Sequence, residues 1–317
     1  MASESPNAGS ILIGIPSFRR PEGLERLLAS LAEQKQVDEL NIEVFVADND
    51  SCGREAQQVC EGIRSNFRWP ISCAIVAEPG ISAARNAILN RAHDCGANFL
   101  AMLDDDEITA SDWLFQITSA QSRFDADVVG GPMYYCFDPQ TPEAVVNCGV
   151  FITPEHPEGQ LSVIHATPNV LLNCRSLARE NWPKFDPRFG LTGGEDREYF
   201  ERLRKLGFRF VWAPMARTYE PVTASRMKLS FILRRSFSNG NADIRIRWRH
   251  RDGVGLLLSI GKGLALLATA PVGALLLLAP STRLWTLAKW SRSLGKFAAL
   301  GGMRHREYAP LRVNESR

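Results

Sequence analysis

The chain has 317 residues, with 37 Lys or Arg against 35 Asp or Glu, 45% hydrophobic residues and 23% charged residues. That composition excludes a disordered, collagen-like or polytopic membrane chain, and the length allows one large domain or two modest ones. Seven cysteines with no C-x-x-C pair argue against a disulfide framework or zinc ribbon and fit a reducing cytoplasm. Residues 1–10, lacking a basic start and an apolar run, are expected to be a flexible terminus with no secretory signal. The charge is split along the chain. Residues 1–225 hold 20 basic and 31 acidic residues, a net −11, and residues 226–317 hold 17 and 4, a net +13. An asymmetry of this kind points to an anionic partner for the basic end, and the apolar content there favours a membrane surface over nucleic acid.

In chain order, Ile11–Ile15 predicts a buried strand, and Pro21 opens a helix with Leu24, Leu27, Leu28 and Leu31 on one stripe. Strands follow at Ile42–Ala47, Ser72–Val76, Phe99–Leu103 and from Val128, alternating with helices at Glu55–Asn66, Ile81–His93 and one capped by Ser111 and running to Phe124. Four such units in a row predict an α/β fold with a doubly wound, mostly parallel sheet, which binds ligands beyond the carboxyl ends of its strands. A strand-like Asn169–Leu172, a helix after Gly193-Gly194-Glu195-Asp196 and a strand at Phe208–Trp212 complete residues 11–225, taken as a catalytic domain.

The strand ends hold the polar residues. Asp104 and Asp106, two apart on an extended backbone, share a face, with Asp105 opposite. Three adjacent carboxylates repel unless a cation neutralises them, and hard oxygen ligands suit Mg²⁺ or Mn²⁺ shared with substrate phosphates. The plain alternative is a solvated acidic turn. Asp48 and Asp50 either accept hydrogen bonds from a base or ribose or simply form an Asn-Asp turn. Gly80–Asn86 at a helix start is either an approach to phosphate, with Arg85 pairing it or holding the acidic cluster, or tight helix–sheet packing. Glu195-Asp196 offers a general base, or else an acidic first turn that complements the helix dipole. The Walker phosphate loop, G-x-G-x-x-G, H-E-x-x-H and G-x-S-x-G motifs do not occur.

The ordered set I-P-S-F-R-R-P, V-A-D-N-D-S, E-P-G-I-S-A-A-R-N, L-D-D-D-E and F-G-L-T-G-G-E-D resembles family-2 glycosyltransferases over residues 11–240. Within that family the chain is most similar to bacterial exopolysaccharide transferases of the succinoglycan type, through A-T-P-N-V-L-L and R-R-S-F-S-N-G. The resemblance implies a GT-A fold and inverting transfer, and it implies roles. Pro16, Ser17, Arg19, Asp48, Asp50, Arg85, Asp104 and Asp105 would bind a UDP-sugar such as UDP-glucose. Asp104, Asp106 and Glu220 would hold Mn²⁺ or Mg²⁺, Glu220 standing next to Tyr219 where relatives often carry His. Asn169 and Glu195 would face the acceptor, and Asp196 would deprotonate its hydroxyl. Arg226 or Arg235 would steady the leaving diphosphate. The other readings are a nucleotidyltransferase, whose Gly-rich N-terminal loop does not occur here, and an inactive sugar-nucleotide-binding protein on the same scaffold.

The tail is expected to comprise a basic amphipathic helix (226–253), an apolar membrane-associating stretch (254–300) and a basic end (301–317). Residues 263–282 carry no charged side chain, Pro271 interrupts them, and both flanks are basic. The pattern predicts attachment to the cytoplasmic face of the inner membrane by a dipping or interfacial segment that does not cross it. The expected partners are a UDP-sugar donor, a lipid-linked or saccharide acceptor and that membrane surface, with no nucleic acid.

Overall fold

A computed structural model describes residues 9–268 and 273–306. It divides into two compact units. The first comprises residues up to Tyr134, Thr153–Pro187 and Glu195–Pro221. The second comprises Tyr135–Ile152, Arg188–Gly194 and the chain from Val222.

The first unit is built on β1 (Ser10–Ser17), β2 (Asn41–Asp48), β3 (Ile71–Ile75) and β4 (Phe99–Met102), which pair in parallel in the order β3-β2-β1-β4. Helices α1 (Pro21–Ala32), α2 (Glu55–Ile63), α3 (Ile81–Asp94) and α4 (Trp113–Phe124) alternate with them. Period-2 alternation sorts the strand side chains into two layers. Ile11, Ile13 and Ile15 pack with Leu24, Leu28, Cys60 and Trp113, whereas Leu12 packs on the other face with Ile88 and Leu89. Helix α4 starts two residues after Ser111, with no side-chain cap, because the Ser111 carbonyl accepts the Lys35 N–H at 2.8 Å and Trp113 N–H turns back to Ala110.

Past β4 the parallel expectation fails. After the short β5 (Ile108–Thr109), β6 (Val128–Gly130), β7 (Met133–Cys136) and β8 (Gly159–Leu161), strand β9 (Val170–Asn173) runs antiparallel between β4 and β6. β10 (Phe210–Trp212) pairs with β6 in parallel and with β8 antiparallel, closing an eight-stranded sheet. β11 (Thr218–Pro221) joins β5 and β7 in a second, three-stranded sheet. After the short α5 (Glu143–Val146) of the second unit, α6 (Cys174–Arg179) and α7 (Glu195–Lys205) pack through Leu177, Tyr199, Phe200 and Leu203 on the face that holds α3. The expected doubly wound architecture is thus present, with a mixed sheet.

The second unit is helical. α8 (Leu229–Arg249), α9 (Gly253–Ala268) and α10 (Pro280–Leu300) are long, and a 3₁₀ turn covers Ala274–Leu277. Helices α8 and α10 approach backbone to backbone. A Cβ on Gly240 would stand 1.9 Å from the Arg292 carbonyl, and one on Gly295 would stand 2.0 Å from that of Phe237. Asp243 and Arg292 (2.8 Å) pin the same crossing. The boundaries expected for the tail therefore change: residues 280–300 form a packed helix with α8 rather than part of one apolar stretch. Among the described residues no helix is long and apolar enough to cross a membrane. Pro271 lies outside the described residues, as do residues 1–8 and 307–317.

Candidate active site

Because β1 to β4 are parallel, their carboxyl ends meet along one edge, where Ser17 is in register with Asp48 and Asp48 with Ile75. Most of the expected site residues gather here. Asp48 is buried. One of its oxygens accepts the Asp50 N–H (3.0 Å), and Oδ2 is buried without a partner among the described residues. Desolvation raises the Asp48 carboxyl above its ordinary pKa. Asp50 holds Arg19 at 2.7 Å, which lowers the pKa of its own carboxyl. Asn49 ties this edge together. Its amide donates to the Val76 and Glu78 carbonyls, and its oxygen accepts the Gly80 N–H at the start of α3.

The acidic triplet divides as the alternation predicts, with an outcome that corrects one assignment. Asp105 turns inward, accepting from Ser17 Oγ (3.0 Å), the Phe18 N–H (3.1 Å) and Arg20 (3.2 Å). Burial pushes it up to about 6. It straps β1 to the β4 loop from inside the protein, where it had been expected to face the donor, and it occupies the Ser17 hydroxyl. Pro16 is likewise buried in β1 opposite Ala47.

Asp104 and Asp106 remain partly exposed. Arg20 binds Asp106 at 2.6 Å, and Arg85 binds Asp104 at 3.2 Å. The other Asp104 oxygen has no protein hydrogen bond among the described residues. Glu107 is fully enclosed. It accepts the Asp104 N–H (2.7 Å) and the Thr218 hydroxyl (2.6 Å), fixing the acidic loop to β11, and burial raises its pKa well above the ordinary value.

Arg85 is 4% exposed and is therefore a brace within the protein rather than an open phosphate ligand. Besides Asp104 it contacts Glu195 Oε1. Glu195 is 3% exposed, so the expected acceptor contact gives way to a buried ion pair. Desolvation, opposed by Arg85 and reinforced by Asp196, pushes its carboxyl up to about 7, and its Oε2 is buried without a partner among the described residues. The neighbouring Asp196, half-buried at the first turn of α7, accepts the Arg197 N–H (2.7 Å) through Oδ1. Its Oδ2 has no protein partner among the described residues. Arg85 thus joins the β4 acidic loop to the helix start that carries Asp196.

Asn169, expected to face the acceptor, is enclosed within the protein. It is fully buried with φ 59°, accepts the Trp113 indole N–H (2.7 Å) and donates to the Pro132 and Ala216 carbonyls. Tyr219 stacks on Tyr134 at 6.1 Å. Glu220 is buried on β11, and among the described residues no three His, Cys, Asp or Glu side chains stand together as a metal site, so the expected triad with Glu220 is not formed. Asp104 and Asp106 by themselves suit a hard divalent cation that takes its remaining ligands from phosphate oxygens and water, as Mg²⁺ usually does. Arg226 and Arg235 belong to the second unit, where Arg226 lies over the Phe231 ring at 5.6 Å. The sequence reading passed over Arg20, Asn49 and Glu107, although all three stand inside motifs it singled out.

A three-layer α/β fold whose acidic residues collect at the carboxyl ends of β2 and β4, beside Ser17, Arg19 and Arg20 at the end of β1, is the GT-A arrangement of nucleotide-sugar glycosyltransferases. The chain belongs to glycosyl transferase family 2, whose model matches residues 12–180. It is 31% identical over 235 residues, 74% of each chain, to the succinoglycan biosynthesis protein ExoM of Rhizobium meliloti (strain 1021). Residues 1–349 of S. aureus TarS, solved with UDP, share its fold with a TM-score of 0.51 at 16% identity, covering 94% of this chain and 93% of that one. The mannosyltransferase PcManGT of Pyrobaculum calidifontis, solved with GDP-Man and Mn²⁺, does so with a TM-score of 0.61 at 17% identity, covering 93% and 88%. The protein is a glycosyltransferase.

Proposed function

We propose that this enzyme moves a hexose from a UDP-sugar to a hydroxyl of a lipid-linked or saccharide acceptor during exopolysaccharide assembly, with inversion at the anomeric carbon. The observation that carries the reading is the chain Asp104–Arg85–Glu195 ending beside Asp196, which ties a diphosphate-side carboxylate to a carboxylate with an unpartnered oxygen. Likeness to ExoM supports the polysaccharide context. The buried, unpartnered Asp48 Oδ2 suits the N–H of a uracil ring or a ribose hydroxyl.

Asp104 and Asp106 would hold Mn²⁺ or Mg²⁺, which supplies positive charge against the departing diphosphate. Asp196 takes the proton of the acceptor hydroxyl. That oxygen forms its bond to the anomeric carbon as the bond from that carbon to the diphosphate oxygen breaks on the opposite face, so an α-linked donor yields a β-linkage. Arg85 keeps Asp104 and Glu195 in place throughout.

The test is turnover of UDP-sugars with an acceptor extract, with Mn²⁺ supplied and then chelated, for wild type and Asp196→Asn. The variant should bind UDP normally by calorimetry and lose about 10²–10⁴-fold in transfer. Transfer within a few-fold of wild type, or insensitivity to chelation, would remove Asp196 or the metal from the reading.

A further inference from the structure

Helix α9 is arranged inside out. Val254, Leu257, Leu258 and Leu264 are 72%, 71%, 60% and 55% exposed. Leu257, Leu258 and Leu264 lie three, four and ten residues beyond Val254, which puts all four on one stripe of the helix, and Gly261, Ala265 and Ala268 continue it. The opposite face turns small residues toward α10. Ser259 and Gly263 are the buried positions of the helix. A Cβ on Gly263 would stand 3.3 Å from the Phe297 ring, and the Ser259 carbonyl accepts Lys296 at 3.3 Å. A helix of a water-soluble unit does the reverse, burying leucine and exposing polar groups. Beyond the helix, Leu275 and Leu278 are likewise 65% and 76% exposed. The exposed stripe of α9 begins earlier than the charge-free run of the sequence, which starts at residue 263.

We infer that this stripe lies in the headgroup layer of an anionic bilayer, with α9 parallel to the surface. Contiguous exposed apolar patches of this kind mark interaction sites. Charge selects the occupant: residues 226–317 carry 17 basic and 4 acidic side chains. Two of those four are already held within the unit, Asp243 by Arg292 and Asp252 by Arg247 at 2.7 Å. Exposed Lys262 stands at the border of the stripe, where a long cationic side chain reaches phosphate while its stem covers apolar surface. Trp248, 65% exposed just before α9, is of the type that concentrates at the membrane–water boundary. Among the described residues no helix is long and apolar enough to cross a bilayer core of about 30 Å, and the inference lays α9 on the membrane rather than across it. The inference puts the enzyme on the cytoplasmic face of the inner membrane, beside lipid-linked acceptors, and it stands whichever nucleotide sugar is the donor.

The experiment is co-sedimentation of the full chain with phosphatidylcholine vesicles, with and without phosphatidylglycerol, beside light scattering of the free protein. Wild type should partition onto the anionic vesicles, and more weakly as salt screens the headgroups. The double variant Leu257→Glu/Leu258→Glu, checked by circular dichroism, should bind them at least about tenfold more weakly, as expected for losing the burial of two leucines. Wild type that stays in the supernatant would overturn the inference. So would equal binding to neutral vesicles, a folded double variant that binds as wild type does, or a wild-type dimer that the double variant dissolves, which would assign the stripe to a second copy. The wild-type comparison between the two lipids needs no variant, and UDP-sugar turnover measured without vesicles tests the catalytic reading separately.

Discussion

The two units solve opposite problems with the same residue types. In the first, leucine and isoleucine are enclosed in two layers, and charge collects at one sheet edge, where Arg19, Arg20 and Arg85 meet the carboxylates. In the second, glycine sits where helices touch, and leucine faces outward along α9. The net charges, −11 and +13 either side of residue 225, follow the same division. The second unit still encloses a core of Val145, Phe151, Val222 and Ile232, so the outward leucines are particular to α9.

Substitutions should separate the two cases. The largest effect belongs to Asp106→Ala. Removing one of the two partly exposed carboxylates should lower metal-dependent transfer by about 10³-fold, on the scale of charge stabilisation at a reacting phosphate. The metal-free thermal midpoint should stay near that of wild type, because the relieved repulsion among the carboxylates is offset by loss of the Arg20–Asp106 pair (2.6 Å). Normal turnover at saturating metal would detach the acidic edge from the chemistry. Next is Gly295→Ala, whose Cβ meets a backbone carbonyl. We expect a loss of about 1–3 kcal/mol from overpacking, read as amide-exchange protection lost in α8 and α10 while β1 to β4 keep theirs.

Glu195→Gln comes third. The folded carboxyl titrates near 7 against 4.5 for an ordinary Glu. Between those values the native state holds the proton more tightly than the unfolded chain, so stability falls as pH rises through that window and is level above it. The amide cannot titrate, and denaturation on either side of the window should show a wild-type difference of up to about 3 kcal/mol that the variant lacks. The smallest effect is that of Leu258→Glu on stability in solution, within about 0.5 kcal/mol as for other exposed positions. A large loss would mean that α9 is a core helix after all.

Periodicity located β1 to β4 and α1 to α4 to within a few residues, since strands and amphipathic helices have distinct spacings. It left strand direction open. Val170-Leu171-Leu172 reads as a buried strand, but alternation is the same whichever way a strand runs, so the antiparallel β9 was not legible. Side-chain direction at the loops was hidden for a related reason. Arg19 adopts φ 54° and turns to Asp50, and Arg20 reaches Asp105 and Asp106. The Glu195-Asp196 pair was visible as two carboxylates, but which one is enclosed depends on Arg85, 110 residues away. In α9 an apolar helix pattern gives the stripe without saying whether it faces inward.

The place of β9 has a consequence for how the chain is assembled. Strands β1 to β4 are complete once residue 102 has been made, yet the free edge of β4 stays open until Val170–Asn173 emerges roughly seventy residues later. At about 5–20 residues per second on a ribosome, that edge is exposed for several seconds. Its apolar run Phe99-Leu-Ala-Met102 is a template for pairing with another nascent chain. Nascent chains stalled within this interval should aggregate through β4, and release of a few more residues, enough to seat β9, should rescue them.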